Sequence, residues 1–162
     1  MKEIIFWEQS EEVPDAASHK AFQHQKMDKT LESLVKQKND FTGVQYWRFH
    51  TIDMLEELLK VEIHGKCLEI GSGKGLASAY LSSKISVQSV TALDYSLYSL
   101  EYLLPKAHRL FKDANLSKIQ RVFGSFNNIK AYGYDFVFGF GAIHNSDNLE
   151  STFESIYQSL KD

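Results

Sequence analysis

The stretch that decides the fold is Lys66-Cys67-Leu68-Glu69-Ile70-Gly71-Ser72-Gly73-Lys74-Gly75, a short apolar run with an acid near its end that empties into alternating glycines. It reads as a buried strand turning into a helix, because glycine without a Cβ lets the backbone bend sharply and approach a ligand closely. The helix that follows aims its unpaired N–H groups at whatever binds there. A phosphate-gripping Walker loop requires G-x-x-x-x-G-K-[ST], but Leu68 stands five residues before Gly73 and Gly75 follows Lys74, so that reading fails. The dinucleotide fingerprint G-x-G-x-x-G fits better, yet Leu76 occupies the place of its third glycine and Glu69 sits two residues before the first.

The pattern is instead E-x-G-x-G-x-G, which resembles the first motif of the class I S-adenosylmethionine-dependent methyltransferases. The resemblance implies a Rossmann-like parallel sheet with flanking helices and S-adenosylmethionine as cofactor. It assigns Gly71, Ser72, Gly73 and Gly75 to the turn along the methionine part of the cofactor, and has Glu69 hold that turn or the cofactor's amino group. A second acid lies downstream. Ser89-Val90-Thr91-Ala92-Leu93 reads as a buried strand ending in Asp94, close to the roughly 20-residue separation that puts a carboxylate beside a ribose. A carboxylate's two oxygens can accept both hydroxyls of a vicinal diol. The plainer alternative is that Asp94 caps a helix starting near Ser96. Tyr95, its neighbour, is assigned to the same cofactor site.

At 162 residues, 43% hydrophobic and 13% aromatic, the chain is of single-domain length with ample material for a core. A net charge of −3 argues against a broad nucleic-acid footprint and favours a small-molecule substrate. Cys67, the single cysteine, lies in the expected first strand, so it reads as a buried, inert thiol; no Cys-rich zinc pattern exists and no metal is expected. The N-terminal Met1-Lys2-Glu3-Ile4-Ile5-Phe6-Trp7 is too short in its apolar part and too soon acidic for a secretory signal, and no apolar run approaches the roughly 20 residues of a membrane span. A soluble, cytoplasmic protein is the expectation.

Helical spacing of Phe22, Met27, Leu31, Leu34 and Val35 predicts a helix over 21–38, and residues 1–45 are read as an N-terminal helical lid preceding a Rossmann-like domain over 46–162. A second helix, with Thr51 as its N-cap, carries Ile52, Leu55, Leu58 and Leu59. A helix over 75–83, a strand over 87–93 and a long helical segment over 96–114 follow, the last interrupted by Pro105, which should end or kink it. Strands over 120–123 and 134–138 come next, then a last helix with Leu149, Phe153, Ile156, Tyr157 and Leu160 on one face. Alternating strands and helices indicate a parallel sheet whose ligand crevice lies at the carboxyl ends of the strands.

Gly139-Phe140-Gly141-Ala142-Ile143-His144-Asn145 resembles the fourth motif of many small-molecule methyltransferases, where this turn flanks the methionine moiety and the transferring methyl. That resemblance makes Gly139 and Phe140 cofactor contacts and His144 the candidate catalytic group. In Tyr46-Trp47-Arg48-Phe49-His50, Arg48 is the candidate partner for the cofactor's carboxylate, with a solvated or structurally paired arginine as the alternative. The chain departs from the family in two ways. Where the third strand commonly ends in an acid that accepts from the adenine amino group, this chain has Gly124-Ser125-Phe126, leaving Ser125 and Phe126 for that task. The usual sheet has seven strands, but this sequence stops after the helix following the fourth. Strand four would then be an apolar unpaired edge, so either the natural polypeptide continues beyond Asp162 or self-association or a partner chain covers it. The rival readings are a nicotinamide-dependent oxidoreductase, opposed by Leu76 and Glu69, and a non-catalytic methyltransferase-like binding or assembly subunit.

Overall fold

The computed structural model describes residues 2–8, 44–146 and 148–161, with residues 44–50 described by backbone only. Five strands, β1 (Ile5–Phe6), β2 (Gly65–Ile70), β3 (Val87–Asp94), β4 (Ile119–Phe123) and β5 (Phe136–Phe138), form one parallel sheet in the order β1-β4-β3-β2-β5. Among the described residues four α-helices accompany them: α1 (Val44–Leu59), α2 (Leu76–Ser83), α3 (Leu104–Ala107) and α4 (Leu149–Ser159). The chain steps from β2 through β3 to β4 in one direction, then crosses back and lays β5 on the other side of β2. The carboxyl ends of β2 and β5 therefore flank the point where the winding reverses, which is where open α/β sheets bind ligands.

Alternation along the strands builds two cores. Cys67, Val90, Ala92 and Ile119 face one side, covered by Ile52 of α1, Leu81 of α2 and Leu104 of α3. Leu68, Ile70, Leu93 and Val122 face the other, covered by Phe126, Ile129, Tyr134 and Ala142, with Ile156 of α4 packed against them. Burial on both faces explains why β2 and β3 read as near-continuous apolar runs. Cys67 is fully buried, and desolvation together with the charge of Asp135 pushes its thiol up to about 12, in keeping with an inert role.

The structure corrects several sequence-based boundaries. Helix α1 already runs at Val44, so Trp47, Arg48 and Phe49 lie within it instead of before it, and Thr51 is an interior, exposed position instead of an N-cap. A capping preference is worth only about 1 kcal/mol, less than the burial of an anchoring side chain such as Ile52. The helix is pinned from outside by Lys84, whose Nζ lies 3.1 Å from Asp53 and 2.8 Å from Glu56. Pro105 does not end its segment, which continues through α3 to Ala107. The interruption takes the form of a π-helical turn, Ser99–Leu103, in which the Leu104 N–H donates to the Ser99 carbonyl, followed directly by α3 with proline in its first turn. A ring nitrogen without a hydrogen cannot continue the i−4 ladder, and the wider turn accommodates it.

Residues 2–8 run beside β4, with Ile5–Phe6 as β1, fastened by the Trp7 N–H to the Phe123 carbonyl at 2.9 Å and by the Arg121 guanidinium to the Lys2 carbonyl at 2.6 Å. The predicted helix over 21–38 lies outside the described residues. In α4 the apolar stripe Leu149, Phe153 and Tyr157 is exposed, while Thr152, Ser159 and Ile156 turn inward. Small polar residues win that side because they satisfy the loop beneath: Ser155 accepts from the Ile129 N–H at 2.9 Å, and Thr152 donates to Asn127.

Among the described residues β5 ends the sheet. After α4 the chain returns alongside it, with Leu160 in a parallel bridge to Tyr134, the Tyr134 N–H donating to the Ser159 carbonyl at 3.1 Å and the Lys161 N–H to the Tyr134 carbonyl at 2.9 Å. Pairing beside the fourth predicted strand thus begins within this sequence, one residue pair long, and leaves the outer edge over Phe136–Phe138 without a strand among the described residues.

Candidate functional site

Four turns meet at the carboxyl ends of the central strands, and three glycines shape the first. Gly71, Gly73 and Gly75 all have positive φ, 62°, 50° and 72°, but they differ in what surrounds them. A Cβ on Gly71 would lie 2.5 Å from the Cβ of Ala142, and one on Gly75 would lie 2.5 Å from Leu104 Cγ and 2.9 Å from its backbone. These two glycines permit close packing: of the turn after β5 onto the turn after β2, and of α3 onto the start of α2. A Cβ on Gly73 would meet nothing closer than the Gly71 carbonyl at 3.9 Å, so this glycine faces open space.

The acids at the strand ends tie these turns together. Glu69, 3% exposed, accepts from both the backbone N–H and the hydroxyl of Ser78, at 2.8 Å and 2.5 Å. These contacts fix the N-terminal part of α2 to the end of β2. Ser78→Ala is expected to cost about 1.5 kcal/mol of stability, read by urea denaturation, since a buried hydrogen bond to a carboxylate is lost. Asp94, also buried, spreads its two oxygens over both loops: Oδ2 accepts from the Gly73 N–H at 2.6 Å and Oδ1 from the Ser96 N–H at 2.8 Å, the local capping contact that its position allowed. Burial drives its carboxyl above the ordinary carboxylate range, against the lowering effect of hydrogen bonds from Gly73, Ser96 and Tyr95. Tyr95 is half exposed beside it, its phenol pushed up by burial and by the Asp94 charge.

Ser72 has an orphan hydroxyl. Its side chain is 5% exposed, its Oγ has no partner among the described residues, and its N–H is committed to the Leu93 carbonyl at 3.0 Å. A buried hydroxyl without a protein partner calls for a water or a ligand group to satisfy it.

The other predicted site residues fall into three groups. Ser125 sits in the turn after β4, its Oγ accepting from the Asn127 N–H at 3.1 Å and its own N–H donating to Glu8 at 3.0 Å. Phe126 is core, 6% exposed and in contact range of the Gly71 position, so its ring supports the turn from below. Gly139 lies across Ile70, whose side chain a Cβ would meet at 3.1 Å, and Phe140 stacks on Phe138 with centroids 6.2 Å apart. His144 is exposed in a 3₁₀ turn, Ile143–Asn145, joined to the site through Ala142. Arg48 lies on α1, and its side chain falls outside the described residues. The sequence reading missed Trp7 and Glu8, for which no local motif exists; Trp7 Cβ stands 3.1 Å from a Cβ built on Gly124. Among the described residues no group of three or more His, Cys, Asp or Glu is arranged to hold a metal ion.

Residues 68–162, more than half of the chain, match the family described as a methyltransferase domain. The chain belongs to that methyltransferase family. Solved structures with the same fold include a candidate S-adenosyl-L-methionine-dependent methyltransferase from Methanococcus maripaludis, 24% identical with a TM-score of 0.61, where the match covers 86% of this chain and 58% of that one. An S-adenosylmethionine-dependent methyltransferase from Geobacter sulfurreducens, solved with S-adenosyl-L-homocysteine, is 17% identical with a TM-score of 0.56, covering 85% of this chain and 51% of that one. A complex of the Haloferax volcanii Trm112 methyltransferase activator with a candidate methyltransferase gives 20% identity and a TM-score of 0.56, covering 81% and 55%. This methyltransferase-family chain therefore spans a little over half the length of these structures. No curated protein matches it by sequence. Its five-stranded parallel sheet is the Rossmann-like arrangement expected of the family.

Proposed function

We propose that the chain binds S-adenosylmethionine across the ends of β2, β3 and β4 and that its methyl group passes to a small-molecule acceptor held before the turn after β5. The observation that carries this reading is the pairing of an open, positive-φ Gly73 with the buried, partnerless Ser72 hydroxyl, one strand away from a buried Asp94. Bound there, the cofactor would supply an activated methyl on a sulfonium for in-line displacement. The protein's own work is then alignment and exclusion of water. In this reading Ser72 and Gly73 meet the methionine end, Asp94 accepts from the ribose hydroxyls, and Tyr95 and the Ser125 turn border the base. Arg48 on α1 is assigned to the cofactor carboxylate.

His144, on the exposed rim beyond Ala142, is assigned to contact with the acceptor. The cytoplasm is the compartment assigned to this activity, and any strand pairing with a second chain uses the outer edge of β5.

Isothermal calorimetry with S-adenosylmethionine, S-adenosylhomocysteine and NAD tests the assignment. Binding of both methionine nucleotides and none of NAD is expected; tight NAD binding without either of them overturns it. Once an acceptor is identified, His144→Ala is expected to raise its KM about tenfold while leaving the affinity for S-adenosylhomocysteine unchanged, the scale of one lost hydrogen bond.

A further inference from the structure

We infer that Glu8 reads the exocyclic amino group of the adenine ring, so that the acid absent from the end of β4 is delivered instead by β1. The inference rests on the proposed cofactor reading and adds to it a residue that lies outside every motif in the sequence.

The turn after β4 carries no acid: it runs Gly124, Ser125, Phe126, Asn127, Asn128. The structure nevertheless places a carboxylate there. β1 pairs with β4 in the register Phe6 to Phe123, Trp7 donates from its N–H to the Phe123 carbonyl, and Glu8 follows at the carboxyl rim. One Glu8 oxygen accepts from the Ser125 N–H at 3.0 Å; the other has no partner among the described residues. Glu8 is neither buried nor fully exposed. The preceding residue, Trp7, is held by its packing against Gly124 and by the Lys130 ammonium donating to its carbonyl.

Along the carboxyl rim the sequence of strands is β2, β3, β4, β1, so the rim groups run Gly73, Asp94, Ser125, Glu8. Neighbouring strands are about 4.8 Å apart, which puts Glu8 roughly 10 Å beyond Asp94 along the sheet. A nucleoside whose ribose is held at Asp94 and whose methionine end lies over Gly73 must extend its base the other way, across β4. The far edge of an adenine carries its amino group, a donor with two hydrogens. A carboxylate with one oxygen engaged by the Ser125 N–H and one still open is the acceptor that edge requires, and a charge-assisted bond of this kind is among the stronger ones.

Glu8 also fastens β1 to the turn, and a purely anchoring role must be separated from base recognition. The test compares S-adenosylhomocysteine with its 6-deamino analogue, in which hydrogen replaces the amino group, on the wild-type protein, Glu8→Gln and Glu8→Ala. Calorimetry on the wild type is expected to show about a tenfold or greater preference for the amino-bearing ligand. That preference should shrink in Glu8→Gln, which keeps a neutral acceptor for Ser125, and approach unity in Glu8→Ala. An anchor alone would weaken both ligands equally and leave the ratio untouched. A wild-type ratio near one, or a ratio identical in wild type and Glu8→Gln, overturns the assignment while leaving the cofactor reading intact. Wild-type protein that binds neither ligand overturns both together. Should Glu8→Ala fail to fold, the wild-type ratio and the isosteric Glu8→Gln still decide.

Discussion

Gly75→Ala is expected to destabilise the fold by about 2–5 kcal/mol, whereas Gly73→Ala should cost only about 1–2 kcal/mol and show its main effect on ligand binding. Both residues have positive φ, so each substitution carries the same left-handed backbone penalty. Gly75 adds a steric one. Its new methyl would stand 2.5 Å from Leu104 Cγ and 2.9 Å from Leu104 Cα, and Leu104 is fully buried in the layer between α2 and the sheet, so neither partner can step aside cheaply. Gly73 has no such neighbour within 3.9 Å. Its methyl projects into the space where the proposed cofactor passes, beside the Ser72 hydroxyl and the N–H that Asp94 holds. Thermal and urea denaturation read the first effect, and calorimetry with S-adenosylhomocysteine reads the second. Equal stability losses with equal binding losses would mean that Gly73 and Gly75 act as one unit, contrary to their different surroundings.

This division among glycines marks where sequence reading stops. The motif shows that the backbone needs conformational freedom at 71, 73 and 75, and the structure bears that out at each. Which glycine makes room for the ligand and which make room for Ala142 or Leu104 depends on segments about 30 to 70 residues away, and no local pattern encodes it. The same holds for the acids. Glu69 and Asp94 announce themselves by sitting at the ends of apolar runs, so β2 and β3 were legible almost to the residue. Glu8 follows a strand of two residues, too short for any alternation to register, and its significance comes only from β1 lying against β4.

Helices were legible where their apolar spacing matches burial and misread where it does not. α2 presents Leu76, Ala77 and Leu81 inward as the spacing predicts. α4 was located correctly, but its inward side is the one bearing Thr152, Ser155 and Ser159, chosen because hydroxyls can satisfy Ile129, Asn127 and Ser146 in the loops beneath it. Its stripe of Leu149, Phe153 and Tyr157 looked like core and is surface. Hydrophobic periodicity reports that a helix has two sides; the polar demands of the neighbouring loops decide which one is buried.

Asp94 provides the second large effect. Asp94→Ala is expected to weaken S-adenosylhomocysteine by about 1.5–3 kcal/mol, roughly ten- to hundredfold, if its carboxylate accepts the ribose hydroxyls. The contacts with Gly73 and Ser96 mean that part of any loss could come from a loosened turn, so the pH dependence is the sharper measurement. Burial raises the Asp94 pKa in the free protein. Stability from this group is accordingly fully present below its unfolded value and declines as pH rises through the raised folded one, where the buried carboxyl must take its charge. Hydroxyl donation from a ribose favours that charged form and pulls the pKa back down. Binding should then release a proton in the window between the bound and free values, and affinity should rise with pH there, by at most about tenfold per pH unit, before levelling off. Asp94→Asn keeps an acceptor but cannot titrate, so its affinity should be lower and flat across that window. In the proposed reading Asp94 acts twice, as the brace between the Gly73 and Ser96 turns and as the acceptor for the ribose hydroxyls. A wild-type affinity independent of pH through the acid range, with Asp94→Asn binding as tightly, would leave Asp94 the capping role alone.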